Sequence, residues 1–350
     1  MAALAHPGIR AALAAALLFG LAAPLSKRLL GMVDPVLLAG LLYLGSGLGL
    51  ALWRRASGQP AARLPRADWP WLAGAILSGG VAGPALLMLG LAAMPASAAA
   101  LLLNAEGVLT ALIAWFVFRE NVDRRVAIGM AAISAGAVLL ATGGRLGLGL
   151  GLGEALPSVL VLGACLAWAI DNNLTRRIAL TDAAWLASVK GLAAGSVTTM
   201  LALAAGARLP GGSATLGALA LGFVAYGVSL TLFVVALRSL GTARAAAYFG
   251  TAPFFGAALA LAMGDPLTLP LAAAALLMGL GVWLHLTERH AHEHLHAALE
   301  HDHWHSHDDH HDHQHQPPVP AGTRHRHPHR HDALRHSHPH YPDAHHRHAH

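Results

Sequence analysis

Long apolar runs fill the chain up to residue 287, and short polar breaks recur between them. A helix needs about 20 apolar residues to cross the hydrocarbon core of a bilayer. Runs of that order cover residues 10–26, 35–53, 70–93, 97–118 and 125–142, then 156–175, 183–206, 214–237, 243–263 and 267–286. The breaks carry turn or charge signals, among them Asp34-Pro35, Gly58-Gln59-Pro60, Arg119-Glu120-Asn121, Leu209-Pro210-Gly211-Gly212 and Gly264-Asp265-Pro266. This pattern predicts an all-α polytopic membrane protein with ten transmembrane helices. Arg10 ahead of an Ala/Leu run imitates a signal peptide, but the run ends at Ser26-Lys27-Arg28 without a clear cleavage site. An uncleaved first helix is therefore expected.

Composition sharpens the picture. Of 350 residues, 55% are apolar and 12% charged, where a soluble domain carries about 25% charged residues. The single Cys165 can form no internal disulfide and reads as a small buried residue. A net charge of +5 does not point to nucleic acid, because the cations cluster between apolar runs. One side of the membrane would hold Arg10, Arg54, Arg55, Arg63, Arg66, Arg119, Arg124, Arg125, Arg176, Arg177 and Arg238; the other holds Lys27, Arg28, Arg145 and Arg208. The positive-inside rule then places both termini in the cytoplasm. Gly45/Gly49 and Gly79/Gly83, at four-residue spacing, predict close helix packing. Pro24 and Pro253 predict kinks, and Trp53, Trp69 and Trp71 read as interfacial anchors.

The two sets of five runs look like copies. Leu18–Arg28 can be laid on Ala167–Arg177, each a helix ending in a hydroxyl residue and two cations. Phe118-Arg119-Glu120-Asn121 and Met263-Gly264-Asp265-Pro266 each close the fourth run of a set with a carboxylate at the turn. An odd number of spans per repeat inverts the second copy relative to the first. Inverted repeats support alternating access, with the solute near the midplane where the halves meet.

The stretch Asn104-Ala105-Glu106-Gly107-Val108-Leu109-Thr110-Ala111-Leu112-Ile113-Ala114-Trp115-Phe116-Val117-Phe118-Arg119-Glu120 resembles the fourth-helix signature of EamA-type transporters of the drug/metabolite transporter superfamily. Ile128–Gly136, Ala252–Ala257 and Met278–Gly281 are similar to that family too. The resemblance implies two inverted five-helix repeats, at residues 8–142 and 154–287, and export of small metabolites across a bacterial inner membrane. It implies no particular solute. The family's usual Glu of the second repeat is Asp265 here, which weakens any role borrowed for that turn.

Charged groups at membrane depth cost about 2.5–3.5 kcal/mol each, so each demands a reason. Glu106, midway along the fourth run beside Asn104, reads as a proton-coupling or cation-binding group, or else as a buried interhelical hydrogen bond. Asp171, Asn172 and Asn173 follow on the sixth run. Asp171 lies five residues before Arg176, about 7.5 Å inward, and Lys190 eight residues past Asp182, about 12 Å inward. These depths predict a Lys190–Asp171 pair facing a central cavity, with structural pairing and solute binding both open. Tyr248 and Trp168 are candidate cavity residues, with packing as the ordinary alternative.

From residue 288 the chain changes character. All 25 histidines except His6 lie at or after His285, and Pro317-Pro318-Val319-Pro320 divides the tail. Low hydrophobicity predicts disorder over 288–350, with a helical extension over Glu288–Glu300 that sets His290/His294 and His292/His296 one turn apart. Carboxylates accompany the proximal histidines. His290, His292, His294, His296, His301, His303, His305, His307, His310, His311, His313 and His315 are therefore the candidate ligands for Zn, Ni or Co. A pH-responsive polyelectrolyte competes with that reading.

Three functions remain in view. The first is a secondary active transporter exporting a small solute, with a metal-binding cytoplasmic tail. The second is a divalent metal exporter fed by the tail, and the third a membrane-anchored metal buffer or sensor. No GxxxxGK[ST], HExxH or nucleophile elbow is present, so no ATPase or enzyme is expected, and no cofactor is required. Expected partners are membrane lipid and a small solute or metal ion, with a homodimer left open.

Overall fold

A computed structural model describes residues 6–59, 64–118, 124–144, 152–178, 182–240 and 242–287, together with the backbone of 291–296, 299–305, 325–331 and 334–339. It divides into two units, Met1–Glu288 and Arg289–His350. The first unit is helical. Among the described residues nine helices are long and apolar enough to cross a membrane: Pro7–Leu29, Pro35–Ala56, Arg66–Ala92, Ala96–Val117, Arg124–Ala141, Gly153–Thr175, Ala184–Ala204, Gly212–Ala236 and Leu269–Leu286. They are numbered spans 1–8 and 10. Span 9 is built from two pieces, Thr242–Phe249 and Ala252–Ala262, interrupted at Gly250-Thr251.

Local chemistry explains where the spans begin and bend. Asp34 accepts hydrogen bonds from the amides of Val36 and Leu37, and Pro35 occupies the first turn of span 2, where its missing N–H costs nothing. The predicted Asp34-Pro35 break is thus a helix start. Asp182 caps span 7 through the Trp185 amide, and Thr268 caps span 10 through that of Leu271. In span 1 the helix is interrupted at Leu21, and Pro24 lacks the N–H that would reach Gly20. Spans 3 and 8 contain π-helical segments, Ile76–Ala82 and Phe223–Val228. They lie ten or so residues into each span, at corresponding places in the two halves.

The packing has a two-fold pattern. Span 2 lies along span 7, span 5 along span 10, and span 4 against span 9. Span 1 packs on span 8 and span 6 on span 3; span 4 on span 6 and span 9 on span 1; span 8 on span 2 and span 3 on span 7. Exchanging each span for the one five places on leaves this set unchanged. Successive spans reverse direction, so exchanged partners run oppositely and the repeats are inverted. The glycine pairs serve these contacts. Gly45 and Gly49 lie against Leu219 and Phe223 of span 8, and Gly79 and Gly83 against Asp171 and Trp168 of span 6, with no room for a Cβ.

In the second unit, Ala291–His296 runs antiparallel to Leu334–Pro339, and Leu299–His305 to His325–His331. The helical extension expected over Glu288–Glu300 is corrected here: 291–296 is extended backbone. Alternating histidines offer no apolar stripe at helical spacing to bury, so nothing holds that stretch in a helix.

Candidate functional site

Span 4 is where the helix and the chemistry meet. It is interrupted at Leu103-Asn104, between Ala96–Leu102 and Ala105–Phe118. The buried Asn104 amide donates to the Leu101 carbonyl at 3.0 Å and lies 3.8 Å from the Met278 sulfur. It therefore satisfies the interrupted backbone and faces span 10. Glu106 turns to span 6, where Asn172 Nδ2 donates to its Oε1 at 2.9 Å and approaches Thr110 Oγ1 at 3.4 Å. Asn173 Nδ2 donates to the Ala169 carbonyl at 2.8 Å and the Thr110 carbonyl at 3.3 Å, pinning spans 6 and 4 together. Among the described residues no cation pairs with Glu106.

Asp171, one residue before Asn172, serves a different neighbour. Lys190 Nζ lies 2.6 Å from both of its carboxylate oxygens, and Thr175 Oγ1 donates to Oδ1 at 2.8 Å. The charge is compensated within the bundle. Beside it, the π-helical turn of span 3 directs the Gly79 carbonyl toward two donors, Tyr43 OH at 2.8 Å and Trp168 Nε1 at 2.9 Å. Trp168 is buried and committed to this bond. Tyr43 and Tyr226 approach with ring centroids 5.6 Å apart. Tyr248 sits elsewhere, packed with Phe233 and Leu240 around Ala12, Ala236 and Ala245. Tyr43, Thr110 and the Gly79 carbonyl were not foreseen; a π-helical turn has no signature in the apolar pattern.

The two ends of the bundle differ. On the face away from the termini, spans 1, 4 and 9 close on one another. Gly20 packs so tightly on Ala252 and Gly256 that a Cβ there would lie 2.7 Å from the Ala252 carbonyl oxygen. A narrow crevice lined by Phe19, Gly20, Ala23, Ala100, Leu103, Ala252, Pro253 and Gly256 lies between them. Toward the terminal face span 4 parts from the other two: Ala105–Phe118 packs on span 6, while Thr242–Phe249 stays with span 1 and adds span 8. Asn172 is exposed there, although the lipid-facing side of span 6 bears Ile170 and Leu166. Two residues on a helix differ by about 200°, so Asn172 faces inward. Gly107 also opens onto free space.

Residues 6–142 match the model of the EamA-like transporter family. The probable 4-amino-4-deoxy-L-arabinose-phosphoundecaprenol flippase subunit ArnE of Pseudomonas paraeruginosa is 39% identical over 114 residues, 31% of this chain and 96% of that protein. The chain belongs to the EamA-like transporters of the drug/metabolite transporter superfamily. An uncharacterized transporter of Methanothermobacter thermautotrophicus is 28% identical over 271 residues, 73% of this chain and 79% of its own length. A crystal structure shares the fold with a TM-score of 0.60 at 22% identity, over 79% of this chain and 94% of that one. This EamA-like chain is thus a multi-pass membrane transporter.

At the terminal face of this EamA-like bundle, Arg54 Nη1 lies 2.6 Å from Asp182 Oδ1, joining span 2 to the start of span 7. Partial burial opposes ionisation of Asp182, but the Arg54 and Trp185 hydrogen bonds overcome it and hold the carboxyl below its usual value. Among the described residues no group of three His, Cys, Asp or Glu side chains could hold a metal. The twelve tail histidines named above lie outside the described side chains.

Proposed function

We propose that this protein is a secondary active transporter that exports a small solute across the bacterial inner membrane by alternating access. Both termini are cytoplasmic in this reading, and the half closed by spans 1, 4 and 9 faces the other side of the membrane. One observation carries it: Glu106 accepts a hydrogen bond from Asn172, an exposed polar side chain on the side of span 6 opposite Ile170, while in the other half spans 1, 4 and 9 close on one another. Glu106 is ten residues into span 4, about 15 Å deep, near the midplane of a bilayer core of about 30 Å. A lone carboxylate at that depth can exchange a proton or a cationic group within each cycle. Asp171, already neutralised by Lys190, is the wall of the pathway, and Asn173 and Asn104 hold its helices in place.

A solute is favoured over a transition metal as cargo. Glu106 and Asn172 offer oxygen donors without imidazole or thiolate, a poor set for Zn, Ni or Co. Metal binding belongs to the tail, through His290–His315, as an accessory to a carrier that is neither an enzyme nor a passive buffer. The test uses everted vesicles bearing the full chain or a chain ending at residue 287. Solute uptake driven by a proton gradient and lost in Glu106→Gln supports the carrier. Flux of metal, abolished by removing the tail, would replace it with the metal exporter; metal binding without any flux would leave a buffer.

A further inference from the structure

The sealed face carries two charged side chains that the transport site does not use. Lys27, at the end of span 1, donates from Nζ to the carbonyls of Leu91 at 2.8 Å and Ala92 at 3.0 Å, the last residues of span 3. Asp265, just past span 9, accepts from the Ser97 amide at 2.8 Å, in the first turn of span 4. Each charge therefore sits on the helix end that favours it, the cation at a C-terminus and the anion at an N-terminus. The two ends flank one hairpin, residues 93–95. Span 1 grips it from one side and the end of span 9 from the other, and spans 1, 4 and 9 are those that close this half.

A second observation comes from hydroxyls. Ser26 and Ser97 are 0% and 1% exposed, and neither Oγ has a hydrogen-bond partner. The hydroxyl oxygens of Thr198 and Thr199, toward the same end of span 7, are likewise buried and unpaired, so all four such hydroxyls among the described residues lie in the sealed half. Buried polar atoms are nearly always paired, and one left unpaired needs a reason. A carrier supplies one: residues packed shut in one state line the water-filled passage in the other.

We infer that Lys27 and Asp265 are the latch of this face, and that their release of the span 3–4 hairpin opens an exit lined by Ser26 and Ser97. The inference rests on the carrier reading but needs no knowledge of the solute. Its test labels the full chain, with Cys165→Ala, from the outer face using a membrane-impermeant maleimide at Ser26→Cys or Ser97→Cys. Lys27→Gln should raise the labelling rate about tenfold, the effect of losing one charge-assisted hydrogen bond. Asp265→Asn should raise it by a smaller factor and serves where Lys27→Gln does not accumulate. Lys27→Arg and Arg28→Gln should label at the native rate, as should a reference cysteine at the exposed Met32 in every background. Equal rates at Ser26→Cys and Ser97→Cys with and without the latch residues would overturn the inference. Latch-dependent labelling in a protein whose flux ignores Glu106→Gln would keep the latch and discard the Glu106 carrier.

Discussion

Lys190 spans the gap between spans 7 and 6 to place its ammonium 2.6 Å from both oxygens of Asp171, and the pair is largely removed from solvent. Breaking such a pair on one side strands the other charge, at a cost of about 3–5 kcal/mol, whereas removing both charges costs far less. Asp171→Asn and Lys190→Ala should each destabilise the bundle by that order, and the double variant by clearly less than their sum. Denaturant unfolding in detergent micelles measures the cycle. Additive losses would mean that the two side chains do not act as a pair.

Glu106 differs because its partner is an amide. Glu106→Gln keeps an oxygen to accept from Asn172, so folding stability should change by less than about 1 kcal/mol. Proton-driven flux should nevertheless fall to background. Asn172→Ala should leave residual flux, because the carboxyl survives while its orientation does not. Unfolding and vesicle uptake on the same preparations separate the two effects.

Much of this was legible in the residues, for identifiable reasons. Span positions follow from apolar runs, because lipid imposes length and composition together. The Lys190–Asp171 pair followed from counting depth along neighbouring antiparallel helices, a one-dimensional quantity. Asn172 on Glu106 did not, because it depends on the rotation of span 6 relative to span 4. Asp265 looked like a weakened family position, yet it accepts from Ser97, more than 160 residues earlier in the chain. Asn104 stood near Glu106 in sequence, but residues two apart on a helix point about 200° away from each other, so Asn104 meets span 10 and Glu106 meets span 6.

Two glycines give opposite expectations. A Cβ on Gly79 would overlap the Asp171 carboxylate, so Gly79→Ala must displace span 3 or the Lys190 pair. Overpacking of that kind costs about 1–3 kcal/mol. Gly107 has nothing within 4 Å of its would-be Cβ, so Gly107→Ala gains helix propensity of about 0.5–1 kcal/mol without a clash. Thermal unfolding should therefore shift down for the first and slightly up for the second. Similar shifts would mean that span 3 does not approach span 6 as closely as described.

The Arg54–Asp182 bridge supplies a pH dependence outside the lipid. Asp182 is held below its usual value in the folded protein, so the folded form binds its proton less readily than the unfolded chain does. The sign follows from linkage: this stabilisation is complete above the unfolded carboxyl value of about 3.9 and fades as pH falls through the lower folded value. Asp182→Asn should thus be less stable than the native chain at neutral pH, losing the ion pair with Arg54 while keeping an oxygen that can cap span 7. The gap between the two should begin to narrow below about pH 4, where the unfolded native chain takes up the Asp182 proton before the folded form does. Unfolding midpoints across pH 3–7 in one detergent check this, and a gap that stayed constant to the lowest pH would assign the loss to cap geometry instead of charge.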